Sequence, residues 1–124
     1  FRSLPGARSF TVEAVTLDDL VRRENLRPAF IKIDVEGHEE TALRGASTLL
    51  ADHPSLLIEV AGDPDAADTP AHRLFALLAS AGYQALTLEA GRCRPRQSGD
   101  RAVDYLFVPS PLAKKVMGDS PQNR

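Results

Sequence analysis

The sequence contains a single cysteine, no tryptophan and only 6% aromatic residues. Because a disulfide needs two cysteines, Cys93 cannot form one within the chain, and a zinc site built from cysteines alone is excluded. The longest uninterrupted apolar run covers residues 74–79, far short of the roughly 20 residues that a membrane-spanning helix needs. No apolar segment of a signal peptide is visible near the N-terminus either. We therefore expect a soluble cytoplasmic protein with no membrane partner.

The chain also lacks a large excess of charge of either sign, since 15 Lys and Arg stand against 17 Asp and Glu and the formal net charge is −2. A general nucleic-acid binder needs excess positive charge to neutralise phosphates, so we expect no nucleic-acid partner. A length of 124 residues with 43% hydrophobic residues fits one small domain. We expect an irregular lead-in over residues 1–9, a folded region over 10–108 and a flexible tail over 109–124.

Periodicity predicts alternating strands and helices in the folded region. Apolar alternation or short apolar runs predict strands, and Thr16 and Thr69 are predicted to cap helices. The predicted strands cover 10–14, 29–35, 55–60, 83–88 and 102–108. One predicted helix begins after Thr16, one covers about 39–51 and one begins at Pro70. This order predicts an α/β fold, with a mostly parallel sheet, one antiparallel closing strand and helices packed on the sheet.

The segment IKIDVEGHEE crosses from the end of a predicted strand into the start of a helix. It places three side chains that can carry chemistry, Asp34, Glu36 and His38, where α/β sheets present their functional groups. Glu39 and Glu40 follow in the first helical turn. We interpret these two as surface acids that complement the helix dipole.

Two kinds of chemistry fit this segment. Asp34 or His38 could act as a general base that takes a proton from a hydroxyl. Alternatively, Asp34, Glu36 and His38 could ligate a metal, although their spacing matches no established metal motif. A purely structural alternative is an ion pair of Lys32 with Asp34 or with Glu59.

Three segments, TLDDLV, IKIDVEGHEETALRGA and PSLLIEV, closely resemble the C-terminal half of the FkbM-family methyltransferases. The resemblance runs from about residue 12 to residue 108. It implies a class I, Rossmann-like fold and S-adenosylmethionine as the methyl donor. It also implies O-methylation of a small molecule or glycan, with Asp34, Glu36 and His38 as the candidate catalytic residues.

The sequence departs from that family at its N-terminal end. The resemblance implies a glycine-rich turn that binds the cofactor, yet Gly6 is the only glycine before Gly37. We therefore assign no cofactor-binding residue, and we expect this chain to be the substrate-side half of the domain. Its uncovered sheet edge predicts either a homodimer or a missing N-terminal half as partner. The alternatives are a non-catalytic remnant that binds a partner and, more remotely, a metal-dependent hydrolase.

Residues 90–101 form a predicted basic loop that contributes candidate substrate-binding residues. Arg92 and Arg94 could steer an anionic acceptor such as a sugar nucleotide. Glu59, near the end of its predicted strand, could face either the core or the pocket. The structural alternative is an arginine-rich hairpin loop that is simply solvated. The acids at positions 63, 65 and 68 predict a flexible acidic turn rather than a calcium loop.

Overall fold

The computed structural model describes residues 5–117 of the chain. In this range the chain folds into short helices and strands, and no helix is long and apolar enough to cross a membrane. The elements in chain order are α1 (Leu17–Arg23), β1 (Phe30–Ile33), α2 (Glu39–Arg44), α3 (Ser47–Ala51), β2 (Ser55–Glu59), α4 (Pro70–Ser80), β3 (Tyr83–Glu89), β4 (Arg92–Pro95), β5 (Asp104–Pro109) and α5 (Ser110–Val116).

The five strands form one sheet in the order β1-β2-β5-β3-β4. Only β1 and β2 are parallel; the pairs β2–β5, β3–β5 and β3–β4 are antiparallel. The α/β class with helices on the sheet is confirmed, but the prediction of a mostly parallel sheet is wrong. The physical reason is that β5 lies between β2 and β3 and runs antiparallel to both of them. In addition, part of the predicted basic loop forms β4, which pairs antiparallel with β3.

One face of the sheet carries the main hydrophobic core. Leu56 and Ile58 of β2 are fully buried in one cluster with Leu74 and Leu78 of α4 and with Phe107 of β5. Each such side chain contributes about 1.5–3 kcal/mol by leaving water. The helices therefore pack on this face of the sheet and hold the strands in place from that side.

The opposite face of the sheet is only partly covered. Helix α5 packs there over Leu86 and Val108, but Phe30 and Leu88 remain 54% and 71% exposed. A groove of about 340 Å³ lies on this face. Its lining comprises Phe30, Lys32, Leu57, Leu88, Cys93, Asp104 and Leu106.

The apolar run over residues 29–35 is typical of a strand that is buried on both faces, and the structure corrects this expectation for β1. Among residues 5–117, it is the outermost strand on one side of the sheet and pairs only with β2. Its side chains Phe30 and Lys32 therefore point to the open face, while Ile33 is buried in the core.

The single helix predicted over residues 39–51 is interrupted at Gly45. The carbonyl of Gly45 accepts a hydrogen bond from the Asp18 amide at 2.9 Å. The Asp18 carboxylate then accepts from the amides of Thr48 and Leu49 at 3.0 and 2.8 Å. A Cβ at Gly45 would lie 3.1 Å from the Cβ of Thr16. The glycine thus permits close packing of the start of α1 against the break between α2 and α3.

Two further predictions fail at the ends of the described region. Residues 10–14 form no strand, and Phe10 and Val12 are 83% and 82% exposed; an alternating pattern forms a strand only where a partner strand is present. Residues Ser110–Val116 form α5 within the range that was predicted to be a flexible tail. Residues 1–4 and 118–124 of the predicted lead-in and tail lie outside the described residues.

Candidate functional site

The candidate site lies at the edge of the sheet where β1 and β2 end. Asp34 directly follows β1, and Glu59 is the last residue of β2. Because these strands are parallel neighbours, their carboxyl ends meet at the same edge, with about 5 Å between strands. The fold therefore brings Asp34 and Glu59 to adjacent positions at this edge.

A tight turn after β1 carries the predicted catalytic residues. Its central residues, Glu36 and Gly37, both have positive φ, at 49° and 94°, as in a type I′ turn. The amide of His38 donates to the carbonyl of Val35 at 3.3 Å and closes the turn. Asp34, Glu36 and His38 are all exposed, so an acceptor molecule can reach each of their side chains.

The structure shows neither of the structural ion pairs that the sequence left open. Among residues 5–117, Lys32 forms no ion pair with Asp34 or with Glu59. Lys32 instead lines the groove on the open face. The Asp34 carboxylate is therefore not engaged in a structural ion pair within this region.

The interpretation of Glu39 and Glu40 as surface acids is wrong. They are 5% and 8% exposed. Glu40 binds Arg73 of α4 at 3.0 Å and Arg44 at 2.7 Å, so it ties α2 to α4. The hydrogen bonds from Arg73 and then Arg44 hold the pKa of the Glu40 carboxyl below its usual value. An acid that begins a helix can thus be drawn inward when a neighbouring helix supplies arginines, which single-sequence patterns do not reveal.

The candidate substrate-binding arginines lie away from this turn. Strand β4 is four strands from β1 in the sheet order, a separation of about 19 Å. The guanidinium of Arg94 donates to Glu89, to the Asp100 carboxylate at 2.8 and 3.0 Å, and to the Pro95 carbonyl. Arg92 is exposed beside it. The structure brings Glu59 to the turn but not Arg92 or Arg94, whose substrate-binding role stays a prediction.

The acidic segment after β2 is tied to the segment after β4, although the sequence predicted a flexible turn. The Asp65 carboxylate pairs with Arg96 at 2.7 Å and accepts from the amide of Gly99 at 2.7 Å. Arg101 reaches Asp63 at 3.3 Å. The hydrogen bond from Arg96 is the largest of several causes that hold the pKa of Asp65 far below its usual range. We call this set of contacts the loop clamp.

The loop clamp and the neighbouring Arg94–Asp100 pair predict a loss of stability in acid. The Arg94 hydrogen bonds, and then the Gln97 amide, lower the pKa of Asp100 to about 2. Because this pKa is depressed on folding, the pair stabilises the fold above the unfolded-state pKa of about 4. That stabilisation is lost as the pH falls toward 2. The midpoint of thermal unfolding should therefore be lower in Asp100→Asn than in the wild type at pH 6, with the gap closing near pH 2.

Asp52→Asn provides the matched control for this measurement, since Asp52 is exposed at the end of α3. Its unfolding midpoint should follow that of the wild type at every pH. A gap for Asp100→Asn that stays constant from pH 6 to pH 2 would contradict the assigned ion pair.

The metal alternative has no ligand set in this part of the chain. Among residues 5–117, no group of three or more His, Cys, Asp or Glu side chains is placed to hold a metal ion. The turn does not bring the donor atoms of Asp34, Glu36 and His38 together in such a group, although the three residues are close in sequence. The described residues therefore do not support a hydrolase that uses these three as metal ligands.

Comparison with known protein families gives a match over most of the chain. The family model of the methyltransferase FkbM domain matches residues 2–85, a range that includes the turn after β1, strand β2 and helix α4. No curated protein and no solved structure matches the chain significantly.

Proposed function

Because the chain belongs to the FkbM methyltransferase domain family, we propose that it provides the acceptor side of an O-methyltransferase. The acceptor would be a hydroxyl of a small molecule or glycan, and S-adenosylmethionine would be the methyl donor. The observation that carries this proposal is the exposed turn of Asp34, Glu36 and His38 at the carboxyl edge of the sheet, beside Glu59.

The role of these residues follows from what the transfer requires. A hydroxyl oxygen is a weak nucleophile until its proton begins to leave, and a carboxylate or imidazole within hydrogen-bonding reach can take that proton. Asp34 is our first candidate for the base and His38 the second. Glu36 and Glu59 can accept hydrogen bonds from other hydroxyls of the acceptor and so orient the reacting one.

The described residues lack the features expected of a binding site for the methyl donor. Before Gly37 they contain one glycine, Gly6, and no strand precedes β1. They therefore lack a glycine-rich turn between a strand and a helix, the usual backbone cradle of such cofactors. We infer that the donor is held by another part of the protein or by a partner.

Within the described residues, the outer edge of β1 is unpaired and one face of the sheet is partly open, and both features support this inference. A parallel strand at an unprotected edge offers unpaired backbone groups, which proteins usually cover. Phe30 and Leu88 add exposed apolar surface on the open face. We propose that the donor-binding half covers this edge and face; a second copy of the chain is the alternative occupant.

The same surfaces favour one second candidate, a non-catalytic half-domain that only binds a partner. Both hypotheses predict a partner at β1, and only the first predicts methyl transfer. The two are therefore separated by activity and not by binding.

Transfer of a labelled methyl group from S-adenosylmethionine, catalysed by the complete protein that contains this chain, tests the proposal. A panel of sugars and hydroxylated small molecules would serve as acceptors, with the same compounds already O-methylated as matched controls. We expect label in the free hydroxyl series only, as a methyl ether. Label carried to nitrogen or carbon, or no transfer to any acceptor, would contradict O-methylation.

A further inference from the structure

The turn that carries the candidate catalytic residues has an unfavourable backbone. Glu36 has a φ of 49° and Gly37 a φ of 94°, and a left-handed conformation is disfavoured for a residue with a side chain such as Glu36. The one backbone hydrogen bond across the turn, from His38 to Val35, is long at 3.3 Å. Such a turn persists only where surrounding contacts hold it.

Glu39 supplies such a contact from the start of α2. Its Oε1 accepts a hydrogen bond from the amide of Gly37 at 3.0 Å, and the residue is only 5% exposed. Burial of a carboxylate is costly unless it is hydrogen-bonded. Within residues 5–117 Glu39 forms no ion pair. Its carboxylate therefore binds the turn amide of Gly37 and not a cationic side chain.

The neighbouring acid shows that this arrangement is not a general property of the helix start. Glu40 is similarly buried, but its carboxylate pairs with Arg44 within α2 and with Arg73 of α4. Neither contact reaches the turn. Glu40 thus links α2 to α4, whereas Glu39 binds the turn that precedes α2.

We propose that Glu39 is a positioning residue, which holds the Glu36–Gly37 turn and thereby sets the places of Asp34 and His38. The consequence for catalysis rests on the function proposed above, whereas the hold on the turn does not. The contact needs an acceptor oxygen at Oε1 and not a negative charge, so a glutamine should be able to replace it.

Amide hydrogen exchange in this chain, followed by NMR, tests the hold on the turn. In Glu39→Ala we expect the Gly37 amide to exchange faster than in the wild type, by roughly tenfold or more, while Glu39→Gln stays within about threefold. The amide of Ile58 in β2 serves as the internal reference for global unfolding. Asp52→Asn, which replaces an exposed acid outside the turn, serves as the control and should leave the Gly37 exchange rate unchanged. Equal Gly37 exchange in the wild type and in Glu39→Ala would overturn the proposal.

Kinetics of the complete protein add a readout that loss of folding alone would not give. We expect Glu39→Ala to lower kcat with a smaller change in the KM of the acceptor, and Glu39→Gln to restore most of kcat. An active Glu39→Ala protein with unchanged kcat would overturn the positioning role. If the wild type shows no methyl transfer, the function proposed above fails, and the exchange rates still decide whether Glu39 holds the turn.

Discussion

Replacing Asp34 by asparagine in the complete protein is expected to lower the rate of methyl transfer about 10²- to 10⁴-fold, the usual contribution of a general base. Asparagine has nearly the same shape but cannot accept the proton of the acceptor hydroxyl. Asp34 is exposed and forms no ion pair among residues 5–117. The substitution should therefore leave the fold intact, and the unfolding midpoint should change little.

The same measurement on His38→Gln separates the two candidates for the base. The larger loss of kcat identifies the residue that takes the proton, and Asp52→Asn, at the end of α3, serves as the control that retains full activity. An unchanged rate in Asp34→Asn would refute the catalytic role of Asp34.

Replacing Phe107 by alanine is expected to reduce the free energy of unfolding by about 3–5 kcal/mol. Phe107 is 1% exposed, lies in the central strand β5 and meets the ring of Phe75 edge-on, with 5.0 Å between centroids. Removal of the ring leaves a cavity between α4 and the sheet and also removes an aromatic pair. Urea unfolding followed by circular dichroism measures the loss.

Phe30→Ala is the matched control in β1. Its ring is 54% exposed, so in this chain its removal should reduce the free energy of unfolding by no more than about 1 kcal/mol. In the complete protein the same substitution should be more destabilising if the donor-binding half covers the open face. Equal losses for Phe107→Ala and Phe30→Ala in this chain would contradict the assignment of the core to the helical face.

The strands and helices near the site could be predicted because their signals are local. The caps at Thr16 and Thr69 are present, each accepting a backbone hydrogen bond at 3.1 Å. The apolar run of β2 and the stripe of α4 also lie where periodicity placed them. Such features depend on residues a few positions apart, which a single sequence displays directly.

The failures arose where distant residues decide the outcome. The helix over 39–51 breaks because Asp18, far away in sequence, caps α3. The sheet is mostly antiparallel because β5 pairs with both β2 and β3, and strand order has no local signature. Glu40 is buried because Arg73 of another helix meets it.

For the candidate site, the sequence predicted the residues of the turn but not how the turn is held. Asp34, Glu36 and His38 could be selected from residue type and from their place after a strand. The buried acceptor Glu39 was missed because an acid in the first helical turn usually faces solvent. The one signal that could have found it is its spacing of two residues from Gly37, which suits a side chain that accepts from a turn amide.

Calorimetric titration of S-adenosylmethionine into this chain and into the complete protein tests the central claim most directly, namely that the chain is the acceptor side of a methyltransferase. We predict saturable binding by the complete protein and affinity at least about 100-fold weaker for the chain alone, a difference of about 2.7 kcal/mol. Equal affinity in the two would contradict the division into acceptor and donor halves. Absence of binding to the complete protein would contradict the methyltransferase function itself.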